Sequence, residues 1–340
     1  MTPRPMRIRL AARFIGRRTG FHAPQQGVAL ISVLLIVAVL TAVVYQLLGR
    51  HSLSVAQSQN TLGFDQALSY ALGAETLARQ ALYEDFSESG PGIDTLEEPW
   101  AQAIAPFEIE KEGFLEIRAR DLNGCFNLNA LAGEEGREQH LSRFKTLLTI
   151  LGIPETLADA LRDWVDKDEA VHGFGAEDSE YLLKEPPHRT PNGPLAHLSE
   201  MRLLRGMEPE YLDILAEHVC VLPVQSLKIN VNTAHLPLFA ALAANPNPDP
   251  VAIEQLADSV REFADVDRFL AEYPDFAPAV DVFDVTSSWF EVQVRAQVGD
   301  STAVLTSLLH RNPETGSISL VSRDLGKDFR SLFEVTVEDA

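Results

Sequence analysis

The chain has 340 residues, and its 28 Lys and Arg against 49 Asp and Glu give a formal charge of −21. That balance argues against a nucleic-acid surface, because phosphate binding depends on clustered cations. The length leaves room for two or more domains beside a membrane segment.

The amino end is the most informative stretch. Residues 1–27 carry Arg4, Arg7, Arg9, Arg13, Arg17 and Arg18 and no acidic residue, and an apolar run at 28–48 follows, interrupted only by Ser32, Thr41, Tyr45 and Gln46. A helix needs about 20 residues to cross a bilayer, so this run is long enough. Its 14 Val, Leu and Ile residues favour insertion by something on the order of 4 to 8 kcal/mol. A cleaved secretory signal would have a shorter apolar region, about 7–15 residues, ending at a small-residue site, for which Ser54-Val55-Ala56 is a poor candidate. The six arginines predict a cytoplasmic amino end, with everything after Leu48 across the membrane.

The helical pattern continues past the membrane. Leu53, Leu62, Ala67, Ala71, Ala74, Leu77, Ala78 and Leu82 recur at helical spacing with no proline before Pro91, which predicts one helix to about Glu84, weakened locally at Gly49 and Gly63. A basic leader that ends in Gly27 directly ahead of such a helix resembles the prepilin class. The resemblance implies cleavage by a prepilin peptidase between Gly27 and Val28, and loss of six arginines takes the mature charge from −21 to −27. The fifth mature residue of most pilin-like subunits is Glu, and here it is Ser32. A carboxylate in hydrocarbon costs about 2.5–3.5 kcal/mol and persists only with a partner, which a subunit with nothing ahead of it lacks. The missing Glu and the large region that follows are similar to the minor pseudopilin K family of type II secretion systems.

Further along, 87–106 reads as a loop, and 107–109 with 114–120 as a hairpin. Comparable strand signals return only at 289–298, 303–310 and 317–321. An isolated hairpin is marginal, so the two halves are expected to share one antiparallel sheet. The fold class is then α+β, a long pilin-like helix on an antiparallel sheet, with residues about 127–285 inserted as an all-α domain. Within it, helical spacing marks 142–151, 157–165, 198–204, 211–218, 251–263 and 267–272, divided into units of about 127–222 and 229–280. Residues 49–126 supply the lower helix and first strands, and 286–340 complete the sheet.

Each unit opens on an Asn-rich segment, Phe126-Asn127-Leu128-Asn129-Ala130 and Ile229-Asn230-Val231-Asn232-Thr233-Ala234. Helix capping and turn bonding account for them. The alternative, helix-hairpin-helix units that grip a nucleic-acid backbone, lacks any basic cluster. The same segments, with Pro-Asn-Gly-Pro-Leu at 191–195, resemble the SAM-like or helix-hairpin-helix-like units of pseudopilin K, kept as scaffold.

Cys125 and Cys220 are the only cysteines. On the far side of the membrane they are expected to form a disulfide, the alternative being two separate buried thiols. No phosphate loop, nucleophile elbow, zinc motif or C-x-x-C occurs, so no enzyme is expected. Asp163, Asp166, Asp168, Glu169, Glu177, Asp178 and Glu180 lie close together with Lys167 the only Lys or Arg between them. An exposed acidic loop explains them; a hard cation would also relieve their repulsion, although Ala170 and Val171 stand where an EF-hand needs an acid and a Gly. The family resemblance implies Ca2+ here, on Asp166, Asp168, Glu177 and Asp178.

The sequence therefore predicts a minor pseudopilin at the tip of a periplasmic pseudopilus, starting or capping its assembly. It would cross the bacterial inner membrane once and partner pseudopilins of the I, J and H types, with no nucleic acid. A membrane-tethered periplasmic enzyme and a DNA-uptake pilin are the rival readings.

Overall fold

The computed structural model describes residues 26–90, 92–102, 106–109, 113–243 and 250–326. The chain divides into two compact units, residues 1–59 and 60–340. In the first, helix α1 (Gln26–Ser89) begins. Its apolar start is exposed throughout, from Val28 at 67% to Leu48 at 63%. The helix is long and apolar enough to cross a membrane, with a mean hydropathy of 2.9 over its most apolar window.

Among the described residues, the second unit holds the rest of α1 and all strands. Five strands form one antiparallel sheet in the order β1-β2-β7-β8-β9: β1 (Phe107–Ile109), β2 (Gly113–Asp121), β7 (Trp289–Val298), β8 (Ser301–Arg311) and β9 (Ile318–Leu325). β2 pairs with β7 along its whole length, from Gly113 opposite Val298 to Asp121 opposite Phe290. A bulge at Leu308/Leu309 breaks the β8–β9 register. Ala67, Ala71, Ala74 and Leu82 of α1 are buried against Phe290, Val292, Val294, Ala296, Leu305 and Leu309. Three alanines let the helix backbone come close to the sheet, and the alternation on β7 supplies the apolar face. Leu62 and Leu77 lie off that line and are 68% and 62% exposed.

Between β2 and β7 the described residues form seven α-helices: α2 (Arg137–Ile150), α3 (Thr156–Val165), α4 (Asp178–Tyr181), α5 (Pro209–Leu215), α6 (Leu236–Leu242), α7 (Pro250–Asp258) and α8 (Val266–Glu272). The region is not purely helical. Two parallel ladders close it, β3 (Phe126–Asn127) with β4 (Val219–Cys220), and β5 (Ile229–Asn230) with β6 (Phe283–Asp284). Strands of two residues are too short to show an alternation, which is why the all-α expectation passes over them. Both helical halves share one apolar core, in which Phe126, Phe144 and Trp164 belong to the same cluster as Phe239, Phe269 and Phe276.

The asparagines do more than cap. Asn127 and Asn230 each accept from the backbone N–H two residues on, at 3.2 and 2.9 Å, as a turn-forming Asn does. Their amides also bridge distant backbone: Asn127 Nδ2 donates to the Val224 and Ser226 carbonyls at 2.7 and 3.0 Å. Asn129 takes both polar atoms to Leu195, donating to its carbonyl at 2.9 Å and accepting from its N–H at 2.7 Å. Buried loop backbone must find such partners. Cys125 and Cys220 are joined by a disulfide beside the β3–β4 ladder, with Cα atoms 5.9 Å apart.

Candidate metal centre

Helix α3 and the loop to α4 build an acidic, largely buried centre. Asp163 sits in the last turn of α3 and Asp166 caps its C-terminus, while Glu177 is the N-cap of α4. All three are buried, at 0%, 1% and 3% exposure. The loop between them folds back on α3: the His172 N–H lies 3.2 Å from both Asp163 oxygens, and the Phe174 N–H donates to Asp159 Oδ2 at 3.0 Å. Gly175 is required for this approach, because a Cβ there would collide with the Asp163 carboxylate. His172 Nδ1 lies 3.2 Å from Asp163 Oδ1 and 3.8 Å from Asp166 Oδ2. Asp163, Asp166 and His172 thus place one ligand atom each within 4.8 Å of one another.

His172 serves Asp163, and the charges of His172, Arg137 and Arg162 bear on Asp166 from a distance, but part of the carboxylate oxygen set has no donor among the described residues. Among the described residues, neither oxygen of Asp166 has a hydrogen-bond partner, and neither does Glu177 Oε1. Burial, reinforced by Asp163 and Asp166, pushes the Glu177 carboxyl up to about 7. Burial likewise raises Asp163, and it raises Asp166 together with the nearby Asp168 charge. Buried carboxylate oxygens without donors are costly, and a cation is the group that would satisfy them. The residues present therefore fit a hard divalent ion.

The four residues singled out from sequence fall in different places. Asp166 and Glu177 belong to the buried centre. Asp168 is exposed and accepts from the Ala170 N–H at 2.8 Å. Asp178 turns to Thr190 and Arg189, accepting from the Thr190 N–H at 2.9 Å and from Arg189 Nη1 at 2.5 Å. The Thr190 N–H first, then Arg189, hold Asp178 below the usual carboxylate range. Glu180 pairs with Arg205 at 2.9 Å. Asp163 and His172 were outside the four; the signal for Asp163 is its i, i+3 spacing to Asp166 along the end of α3.

At the amino end, Gly27 lies in the first turn of α1, and residues 1–25 of the leader fall outside the described residues. Ser32 Oγ donates to the Val28 carbonyl at 2.8 Å, so the hydroxyl is satisfied within the helix.

A long apolar helix continued onto an antiparallel sheet, with a large helical region between two neighbouring strands, defines a pilin-like subunit of unusual bulk. The family model for type II secretion system (T2SS), protein K matches residues 124–224. The chain is 37% identical over 317 residues to the type II secretion system protein K of Pseudomonas aeruginosa, covering 89% of this chain and 93% of that one. It is 33% identical over 320 residues to its counterpart in Aeromonas hydrophila, covering 87% and 96%. The crystal structure of the GspK-GspI-GspJ complex from the enterotoxigenic Escherichia coli type 2 secretion system contains a similar chain, with a TM-score of 0.70 and 29% identity over 80% of this chain and 100% of that one. The chain belongs to the type II secretion system protein K family, and it is a minor pseudopilin. Neither a tethered enzyme nor a DNA-uptake pilin is favoured by these relatives.

Proposed function

We propose that the protein caps the tip of the periplasmic pseudopilus and helps to start its assembly. The observation that carries this reading is the bulk between β2 and β7: seven helices are set between adjacent strands of the head sheet. Heads stacked along a filament leave no room for such a mass, whereas the end of the filament does. Ser32 in place of a carboxylate agrees with it, since the foremost subunit has no preceding amine to pair with. GspK was crystallised with GspI and GspJ, and pseudopilins of those types, with an H-type subunit below, are the partners expected here.

The leader, residues 1–27, is removed by prepilin peptidase, and Val28 becomes the mature terminus. The six leader arginines hold the amino end in the cytoplasm, residues 28–48 cross the inner membrane, and the remainder works in the periplasm. The regions 49–126, 127–285 and 286–340 then act as lower helix and first strands, inserted scaffold and sheet completion, with two SAM-like or helix-hairpin-helix-like units serving as scaffold. Asp163, Asp166 and Glu177 hold Ca2+ with Asp168 at its margin, and the ion locks the 167–176 loop. Immunogold labelling of pseudopili tests the position: label at filament ends is expected, and label at regular intervals along the shaft would overturn the reading.

A further inference from the structure

The helical region is joined to the sheet by two crossings that lie side by side. Leu122 N donates to the Trp289 carbonyl at 2.8 Å, and Asn123 Oδ1 accepts from the Ser288 and Trp289 N–H groups at 3.0 Å each. A mass that leaves and returns through one adjacent pair of segments has the geometry of a hinge. This junction is filled with buried polar groups.

At its centre is Asp121, the last residue of β2, only 6% exposed. Its Oδ1 accepts from the Asn123 N–H at 2.7 Å, and its Oδ2 accepts from Ser287 Oγ at 2.6 Å and Thr233 Oγ1 at 2.5 Å. Asp121 belongs to the sheet, Thr233 to the helical region and Ser287 to the returning crossing, so one carboxyl ties three parts. Around Ser287 the network continues. Its N–H donates to Asp94 Oδ2 at 2.6 Å, its Oγ accepts from Asn230 Nδ2 at 2.8 Å, and its carbonyl accepts from Arg311 Nη2 at 2.8 Å. Arg311 of β8 also pairs with Asp94 and reaches Asp85 of α1 at 3.3 Å.

The charges facing this joint are unbalanced. Asp85 and Glu88 of α1, Asp94 and Glu98 after it, Asp121 of β2 and Asp284 of β6 stand against Arg311 of β8, with Arg120 on the other side of Asp121. No cation among the described residues hydrogen-bonds Asp121 itself; its three donors are neutral.

We propose that this junction is a proton-linked hinge: closure withdraws the Asp121 carboxyl from water and opening returns it, so the helical region swings more freely on the sheet as pH rises. Burial pushes the closed Asp121 carboxyl up to about 6 in spite of its donors, with Asp94 adding to the effect. An open, hydrated Asp sits near 3.9. The closed form therefore binds the proton more tightly, its advantage is full below about pH 4, and it is lost as pH rises through 6. Linkage between those two values raises the opening constant about tenfold from pH 5 to pH 7.

Hydrogen exchange of the full chain in detergent, corrected for intrinsic rates, reads this opening directly. The amides of Asn123, Ser287, Ser288 and Trp289 are expected to open about tenfold more at pH 7 than at pH 5, while Val292 and Val294 inside the sheet stay unchanged. Asp121→Asn should abolish the difference. If that variant does not fold, Thr233→Val, which removes one donor to the carboxylate, should move the transition to higher pH. Equal pH dependence in wild type and Asp121→Asn, an unmoved transition in Thr233→Val, or parallel change at Val292 and Val294 would overturn the proposal.

Discussion

Glu75 of α1 and Arg323 of β9 form a two-pronged ion pair, Nε to Oε2 at 2.6 Å and Nη2 to Oε1 at 2.9 Å, with Glu75 fully buried. Ser307 Oγ of β8 adds a third bond at 2.8 Å. The pair ties the helix to the edge strand β9. Removing one partner of a buried pair leaves an uncompensated charge. Arg323→Ala is expected to destabilise the chain by roughly 3 kcal/mol, the low end for such pairs, because Arg323 is itself 41% exposed and Arg79 remains 4.0 Å from Glu75. Denaturant midpoints at pH 7 measure it.

The same pair sets a pH dependence. Burial raises the Glu75 carboxyl, but the hydrogen bonds from Arg323 and Ser307, with the charges of Arg323 and Arg79, outweigh it and hold the group below its ordinary value of 4.5. A lowered folded value means that the contribution is complete above 4.5 and fades as pH falls through the lower folded value. Wild type should lose stability faster than Glu75→Gln on acidification below that point. Parallel acid titrations of the two would contradict this assignment.

Reduction or Cys125→Ser opens a loop of 95 residues, for which the chain-entropy account gives roughly 4–5 kcal/mol. Unfolding midpoints with and without reductant are expected to differ accordingly.

The buried acidic centre predicts opposite responses in two states. A chelator should lower the thermal midpoint of the Ca2+-loaded chain, by about 2.7 kcal/mol of stability if the ion was present at a hundred times its dissociation constant. Asp166→Asn should abolish that shift and at the same time raise the midpoint of the chelated protein, since it removes a buried charge that has no donor. Calorimetry of both proteins, with and without Ca2+, decides.

The proposed processing rests on one junction. Gly27→Leu should leave the full-length chain uncut, as read by mass spectrometry of the amino terminus; a mature start after Ala56 would contradict it.

Much of the architecture was legible because it rests on periodicity. The alternation at Phe290, Val292, Val294 and Ala296 marks a strand with one buried face, and Ala67, Ala71 and Ala74 mark the helix that covers it. β9 runs past the expected end at 321 because Ser322, Arg323 and Asp324 look like loop residues. Arg323 stands opposite Ser307 in the β8–β9 ladder and pairs with Glu75, and no local pattern reports a partner 248 residues away. The acidic centre was half legible for a similar reason. Carboxylate density locates the segment, but which members turn inward depends on Thr190 and Arg189 claiming Asp178 and on Gly175 letting the loop fold onto Asp163. His172 had no signal of its own among nine histidines.

The pairing of Asp121 with Phe290 across the β2–β7 ladder also governs the order of events as the chain emerges. When β2 is made, β1 is already present but its other neighbour, β7, has yet to be synthesised, and the whole helical region comes first. β2 must wait with an open edge, so the sheet is a slow, high-contact-order part of the molecule while the helices can collapse on their own core early. A fold-rate defect from weakening that core would therefore appear as aggregation of the waiting strand rather than as a loss in the helices themselves.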